Sequence, residues 1–423
     1  MSSPSESLIK ARDLASNGNY VEAEKQYFSI IQGNNVDELP SNKFLQEQEF
    51  SILELGKIYQ DNKQPDKLKQ LITDSRSILG NFAKSKTAKI VKALIEDFDT
   101  IPDTIGLQIS ATKECIDWAV ESKLSFLRQN LQLKLSDLLY KNGDYKDSLK
   151  IINELLREYK KLDDKSSLVE VQLLESKIYH ALRNIPKSRA SLTGARTSAN
   201  SIYCPTILQA ELDCQSGILN AEERDYKTAF SYFYESFEGY NSQDDSKAID
   251  VLKYMLLTKI MLNLVDDINN ILSHKNVVKF QSKDIDAMKS IAKAYSNRSL
   301  KEFETSLITY SKELKSDPII KNHFNSLYDN LLEQNLLKII ESYNCVELSH
   351  ISKTIGLNLQ QVEGKLSQMI LDKVFYGVLD QGNGWLIIYD EPRKDSTYEA
   401  SLDLVKNLSN VVDLLYEKAS ALN

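Results

Sequence analysis

One pattern recurs in NGNYVEAEKQYFSII (17–31), NGDYKDSLKIINELL (142–156) and ERDYKTAFSYFYESF (223–237). Each segment has a polar turn, then a tyrosine, then a small residue three positions later, and then apolar residues at helical spacing. The matched pairs are Tyr20 with Ala23, Tyr145 with Ser148, and Tyr226 with Ala229. A small residue lets two helix backbones approach closely, so each segment predicts a hairpin whose turn joins one helix to the next.

Weaker copies of this pattern lie at 64–72, 185–195 and 299–310, with further turns at 102–106 and near Val265. The turns are therefore about forty residues apart, which is the length of two four-turn helices with their loops. Any all-helical chain has turns at roughly such intervals, but here the tyrosine and the small residue recur as well. Because such hairpins bury a continuous core only by stacking, the series predicts an all-α, right-handed solenoid of TPR-like helix hairpins.

The composition agrees with a helical protein and limits its class of function. The chain has 423 residues but only 14 glycines and 8 prolines, so helix-breaking residues are sparse. Its formal net charge of −8 argues against binding to nucleic acids or anionic membranes, which requires a basic surface. Apolar runs long enough to span a membrane are absent from the sequence, and the first residues lack the layout of a signal peptide.

Residues that carry chemistry are few. The chain has four cysteines and four histidines, and neither CxxC nor HExxH occurs. We therefore predict no catalytic residue, no metal site and no cofactor, which means that the chain is not an enzyme. Scattered cysteines predict a reducing compartment, the cytoplasm or the nucleus, with the thiols buried as small apolar side chains. The cysteines are Cys115, Cys204, Cys214 and Cys345.

A different module occupies the last part of the chain. Its predicted elements are, in order, a helix at 346–357, a helix at 358–373, a strand at 374–380 and a strand at 385–390. Asn358 is the expected N-cap of the second helix. Gly-Asn-Gly within 381–384 supplies the positive φ that a tight β-hairpin needs. Two helices followed by a two-stranded hairpin is the order of a winged helix.

Many winged helices bind DNA, but the charge of this one disfavours that function. Residues 345–391 contain three lysines and six acidic residues, a net charge of −3. A recognition helix should direct several cations toward phosphates and bases. We therefore expect the wing and its helices to make protein contacts instead.

The strand at the end of the wing is unusually apolar. Trp385, Ile387 and Tyr389 alternate with Leu386 and Ile388. A two-stranded wing would leave strand edges unpaired and apolar surface uncovered. We predict that Trp385, Ile387 and Tyr389 form a subunit interface, in which a neighbouring chain covers the surface or extends the sheet.

The last helix carries a broad apolar stripe, which needs a partner surface. Its members are Leu402, Val405, Leu408, Val412, Leu415 and Ala419, spaced by three and four residues. Periodicity alone leaves two alternatives open. Either the helix folds back on its own winged helix, or it joins a bundle with helices of other chains.

A third candidate surface lies near the N-terminus. Lys86, Lys89 and Lys92 are three residues apart and face away from the apolar side of a helix at 82–98. They could dock on an acidic partner, although an ordinary solvated helix face has the same pattern.

Long strings of this sequence resemble PCI-domain proteins, which combine helical repeats with a winged helix. The matching strings include QEFSILELGKIY (48–59), FAKSKTAKIVKALIEDF (82–98), KSRASLTGARTSANSIYCPT (187–206), DYKTAFSYFYESFE (225–238) and QQVEGKLSQMILDKVFYGVLDQGNGWL (360–386). Within that family the chain resembles the lid subunits of the proteasome regulatory particle that clamp the lid to the core particle. The corresponding subunit of the signalosome is the alternative, but DQGNGWL and the first hundred residues favour the proteasome.

The resemblance implies a domain organisation and a set of partners. It implies TPR-like repeats at 1–225, a PCI domain at 226–392 and a C-terminal bundle helix at 393–423. The PCI domain would consist of a helical part at 226–340 and a winged helix at 341–392. The implied partners are other PCI lid subunits, a proteasome ATPase subunit and a core-particle α subunit, with no nucleic acid and no membrane. The implied role is a structural scaffold in ubiquitin-dependent protein degradation.

Overall fold

The computed structural model describes residues 6–16, 19–32, 42–80, 82–102, 104–280, 282–311, 314, 318–390 and 396–421. Within these ranges the chain is predominantly helical, as predicted. It divides into two compact units, Met1–Ala248 and Ile249–Asn423.

The first unit is a series of helix hairpins. Its helices are α1 (Glu6–Ser16), α2 (Tyr20–Gln32), α3 (Asn42–Asp61), α4 (Pro65–Leu79), α5 (Lys84–Glu96), a 3₁₀ turn (Asp97–Thr100), α6 (Ile105–Glu121), α7 (Ser125–Asn142), α8 (Tyr145–Leu162), α9 (Lys165–Ala181), α10 (Ile185–Asn200), α11 (Thr206–Glu222) and α12 (Tyr226–Ser242). Helices α2, α8 and α12 begin at the predicted tyrosines. Residues 17 and 18, which belong to the predicted turn before Tyr20, lie outside the described residues.

One turn recurs between the two helices of several hairpins. A single residue adopts positive φ, as at Gly143 (92°), Arg183 (57°) and Arg224 (67°). The amide of the following residue donates to a carbonyl five residues earlier: Asp144 to Leu139 (2.9 Å), Asn184 to Tyr179 (2.9 Å) and Asp225 to Asn220 (3.0 Å). This hydrogen bond satisfies a carbonyl that the ending helix leaves without an intrahelical partner. The next helix therefore starts one residue later and reverses direction.

Small residues bring the two helices of a hairpin together. The predicted small residues Ala23, Ser148 and Ala229 are fully buried. The Ser148 hydroxyl donates to the Ser136 carbonyl oxygen on the preceding helix at 2.9 Å. Ser188 makes the equivalent bond to Ser176 at 2.8 Å. A hydroxyl that reaches the neighbouring backbone requires closely spaced helices, so the predicted close approach is confirmed.

The second unit starts within a helix and ends in the winged helix and tail. Its elements are α13 (Ala248–Met261), α14 (Val265–Leu272), α15 (Lys275–Val278), α16 (Lys283–Ser296), α17 (Leu300–Thr309), α18 (Pro318–Ile340), β1 (Cys345–Glu347), α19 (Leu348–Ile355), α20 (Leu359–Leu371), β2 (Tyr376–Asp380), β3 (Trp385–Tyr389) and α21 (Ser396–Ser420). The predicted turns near Val265 and Ser299 are confirmed. Asn358 precedes α20 as expected, but its side chain makes no capping hydrogen bond.

The winged-helix sheet differs from the prediction. It has three antiparallel strands in the order β1-β3-β2, rather than two. Cys345 pairs with Ile387, and Glu347 pairs with Trp385. The predicted hairpin is confirmed as β2 and β3. The sequence analysis missed the additional strand β1, which is too short to show an alternating pattern. The hairpin turn is as expected, with Gly384 at φ 70°.

The predicted domain boundaries stay predictions, and one expectation about the cysteines differs from the structure. The boundary predicted at 225 and 226 falls at the start of α12, which packs with α11 as a hairpin, and the first compact unit ends at Ala248. The boundary predicted at 392 and 393 lies outside the described residues. Among the cysteines, Cys115 is buried as predicted, but Cys345 is exposed, so the prediction for Cys345 was wrong.

Candidate protein-interaction surfaces

The outer face of the winged-helix sheet is apolar. Residues directly opposite one another in an antiparallel sheet share a face. The register pairs Val378 with Ile387 and Tyr376 with Tyr389, so these side chains share a face with Trp385. Trp385 is 45% exposed and Tyr389 is 54% exposed. The predicted triad of Trp385, Ile387 and Tyr389 therefore lies together on one surface.

The opposite face of the sheet packs into the winged-helix core. Leu386 and Val346 are buried there, together with Ile351, Leu366 and Met369 of the two helices. Strands β1 and β3 therefore each direct a buried residue toward this core, whereas the residues of β2 on the same side are half-buried. The outer face is apolar and partly exposed, since Tyr376 and Ile387 are half-buried there whereas Val378, Trp385 and Tyr389 are exposed.

The third strand limits where a neighbouring chain could extend the sheet. Strand β3 lies between β1 and β2, so its backbone is paired on both sides. A neighbouring chain cannot add to β3, and only the outer edges of β1 and β2 remain open to it. The sequence analysis also missed Val378 and Tyr376 as members of the outer face. The alternation within 374–380 was the available signal, but it becomes informative only when the register is known.

The hairpin turn beside this face is held by Asp380. Its carboxylate accepts hydrogen bonds from the Gly382 amide (3.0 Å) and the Asn383 side chain (2.9 Å). The hydrogen bond from the Asn383 side chain contributes most to lowering the pKa of Asp380, and the backbone hydrogen bonds lower it further. The wing tip is therefore fixed by local hydrogen bonds and presents Trp385 in a defined position.

Helix α21 is exposed on every side within the described chain. None of its described residues is buried, and Leu408 and Leu415 are each 62% exposed. The rest of the predicted stripe is also exposed, namely Leu402, Val405, Val412 and Ala419. Burying one leucine side chain stabilises a structure by about 1.5–3 kcal/mol, so this stripe leaves much favourable burial unused.

The three lysines of α5 have unequal surroundings. Lys86 lies 3.0 Å from Glu49 on α3, and Lys92 lies 3.7 Å from Glu96 on its own helix. Lys89 is exposed, whereas the opposite side of α5 is buried through Ile90, Val91 and Leu94. The cations do face solvent, as predicted, but two of them already have a carboxylate partner.

Two kinds of site are not found in the described part of the chain. Its His, Cys, Asp and Glu residues do not cluster in groups that could hold a metal ion. No described helix combines the length and the apolar character that a membrane crossing requires.

Three family models match separate parts of the sequence. Residues 4–142 match the N-terminal domain of 26S proteasome regulatory subunit RPN6, and residues 289–390 match the PCI domain. Residues 394–420, which include the whole of α21, match the C-terminal helix domain of the same subunit. Helix hairpins that lead into a winged helix with a PCI match define the chain as a PCI-domain protein.

Similar proteins extend over the whole chain. The 26S proteasome regulatory subunit RPN6 of Saccharomyces cerevisiae is 55% identical over 437 residues, covering 100% of both chains. The probable 26S proteasome regulatory subunit rpn6 of Schizosaccharomyces pombe is 51% identical and covers 99% of both. A homolog of 26S proteasome non-ATPase regulatory subunit 11 from Arabidopsis thaliana is 45% identical and covers 96% of both. This chain belongs to the family of 26S proteasome regulatory subunit RPN6.

Proposed function

We propose that this protein is a structural scaffold subunit of the proteasome regulatory-particle lid. In that role it is needed for lid assembly and for clamping the lid and the ATPase ring to the core particle. The observation that carries the proposal is the exposed apolar stripe of α21, which has no cover within the described chain. Family membership favours the proteasome over the signalosome as the complex that supplies the cover.

Each candidate surface has a role in this proposal. Helix α21 enters a bundle with helices of other lid subunits, rather than folding back on its own chain. The outer face of the winged-helix sheet, with Trp385, Ile387 and Tyr389, contacts a neighbouring PCI subunit. The lysine face of α5 docks on the ATPase ring or on a core-particle α subunit. The protein acts in the cytoplasm and nucleus, and catalysis belongs to other chains of the complex.

The test is to change Leu408→Asp together with Leu415→Asp. Two leucines buried in a bundle contribute about 3–6 kcal/mol, and a buried carboxylate adds a desolvation cost. We expect the variant to lose association with other lid subunits by about a hundredfold or more. The isolated variant should melt near the parent temperature, because neither leucine is buried in the chain alone. Affinity purification with mass spectrometry and a thermal melt provide the two measurements.

A matched control places the same charges on the polar side of α21, as Asn407→Asp with Asn410→Asp. This control should assemble with the lid as the parent does. Normal assembly of the leucine variant would show that the stripe is not an assembly surface. Unfolding of the isolated leucine variant would show that α21 packs on its own chain. Recovery of signalosome subunits with the parent protein would contradict the assignment to the proteasome.

A further inference from the structure

A groove runs across alternate helices of the first unit. It has a cavity volume of about 610 Å³ and is lined by α5, α7, α9 and the segment from Pro205 into α11. These are the first helices of successive hairpins, so one continuous groove crosses several repeats. Pockets of roughly 300–1,000 Å³ are the size that hold ligands in proteins. An elongated ligand that lies across the helices fits this arrangement better than a compact one.

The floor of the groove is apolar. Leu131, Leu173 and Leu174 line it and are themselves buried, which makes the floor part of the packed core. Ile207 and Leu208 line it at the start of α11, and Ile207 is exposed. Apolar side chains of a ligand would therefore find a preformed surface here.

Most charges in the groove neutralise one another. The ion pairs of the lining residues are Lys92 with Glu96 (3.7 Å), Lys134 with Asp99 (2.6 Å), Asp137 with Lys141 (2.9 Å), and Glu211 with both Lys177 (3.3 Å) and Lys247 (2.6 Å). Glu170 is the exception, since its carboxylate forms no ion pair or hydrogen bond with the described residues. The groove thus presents one uncompensated negative charge above an apolar floor.

The side chain of Glu170 is exposed at the groove, and its surroundings disfavour the charged form. Desolvation by the surrounding walls raises the pKa of Glu170, and Lys92 opposes this shift only in part. Glu211 and Asp164 raise the pKa further by repulsion. A cation brought into the groove would pair with the carboxylate and offset the repulsion from Glu211 and Asp164, which gives it a direct electrostatic reason to bind at Glu170.

We propose that this groove binds a linear peptide segment of a partner protein, in which one lysine or arginine stands among apolar side chains and pairs with Glu170. The apolar residues of the segment cover the leucine floor, and the single cation sets its register. This binding site lies wholly in the first unit and goes beyond the proposed scaffold function, whose carrying observation is the exposed stripe of α21.

The test is a selection of random linear dodecapeptides, displayed on phage, against the purified full-length chain. We expect enrichment of peptides with one lysine or arginine flanked by apolar residues. Synthetic copies should bind Glu170→Lys at least about tenfold more weakly than the parent, the loss expected for a hydrogen bond to a charged group. Ile207→Asp, on the exposed rim, should weaken binding as well. Circular dichroism and thermal melts establish that each variant is folded.

The matched control is Glu154→Lys, which reverses an exposed glutamate on α8, outside the groove. It should bind the selected peptides as the parent does. The proposal is overturned if no peptide is enriched, if acidic peptides are enriched, or if Glu170→Lys and Ile207→Asp both bind like the parent. Glu170→Lys should still co-purify with lid subunits, so failure of the groove is distinguishable from failure of the scaffold function.

Discussion

Gly217 on α11 lies directly against the ring of Phe233 on α12. A Cβ atom at Gly217 would stand 2.6 Å from Cε1 of that ring. Phe233 is itself buried, so its ring has little space to move away. The spacing of this hairpin therefore depends on the missing side chain, just as the Ser136 and Ser148 pair depends on a short one.

We predict that Gly217→Ala destabilises the protein. Alanine would normally strengthen a helix, but here the added methyl group overpacks a filled core, which typically costs about 1–3 kcal/mol. Chemical denaturation followed by circular dichroism measures the change in the free energy of unfolding.

Gly364→Ala is the matched control, since Gly364 is exposed within α20 and an added Cβ there meets nothing within 4 Å. The control should stabilise the protein by about 0.5–1 kcal/mol through helix propensity alone. An equal increase in the free energy of unfolding in both variants would show that the contact with Phe233 does not set the helix spacing.

At the scale of single residues, the sequence predicted one of the two residues in each contact between paired helices. Ala23, Ser148 and Ala229 were recognised from their position after a tyrosine. Ser136, the partner of Ser148, stands twelve residues earlier and was missed, as was Gly217, which faces Phe233. The spacing of twelve residues between small side chains was visible in the sequence. A small residue within a helix does not predict a contact, however, until the facing helix is known.

Helix starts are fixed by side-chain caps as well as by the recurrent turn. At the start of α9, Asp164 accepts from the Ser167 hydroxyl (2.8 Å), the Ser166 hydroxyl (2.9 Å) and the Ser167 amide (3.4 Å). Burial raises the pKa of Asp164, but these hydrogen bonds outweigh burial, and the net pKa is lowered. The folded state thus favours the ionised carboxylate.

We predict that Asp164→Ala lowers the free energy of unfolding near neutral pH by about 0.5–2 kcal/mol, the usual contribution of an N-cap. The pKa of Asp164 is lower in the folded state than in the unfolded state, where it is about 3.9. The stabilisation that depends on the charge of Asp164 is therefore present above that unfolded pKa and is lost as the pH falls through the folded pKa. The difference between parent and variant should therefore shrink below about pH 4. Denaturation curves at several pH values measure it.

Asp164→Asn is the control for this cap, because asparagine keeps a capping oxygen without the charge. It should retain most of the neutral-pH stability and show a weaker pH dependence than the parent. A loss for Asp164→Ala that stays constant down to strongly acidic pH would contradict the assigned role of the carboxylate.

Strand β1 has only three residues, which is too few to give a recognisable strand pattern in the sequence. Cys345–Glu347 has no turn signal and no long alternation, and its pairing with β3 crosses about forty residues of chain. Only the folded winged helix brings the two strands together. This pairing makes β3 a central strand and moves the open edges to β1 and β2.

At the scale of the whole molecule, the surfaces that face solvent indicate protein partners rather than DNA. Helix α20 stands where a winged helix places its recognition helix, and Lys365 is its only cation. That lysine lies 2.8 Å from Glu333, and its side chain is only 12% exposed. Helix α20 itself therefore presents no available positive charge to phosphates.

We predict that the full-length chain does not bind duplex DNA specifically. A titration with a random duplex library at moderate salt, followed by sequencing of the retained fraction, is the measurement. No sequence should be enriched over the input, while a basic winged-helix protein in the same experiment should enrich its site. Selective retention of one sequence by this chain would overturn the expectation.

The sequence by itself determined the helix hairpins, their interval, the winged-helix order and the apolar stripe of α21. These features are local, because helical spacing, turn residues and small residues act within a few positions of one another. Tertiary structure alone decided which pairs meet: β1 with β3, Gly217 with Phe233, and the lysines that neutralise the groove around Glu170. Such contacts join residues far apart in the chain, and their energies depend on packing and desolvation, which exist only after the helices have come together.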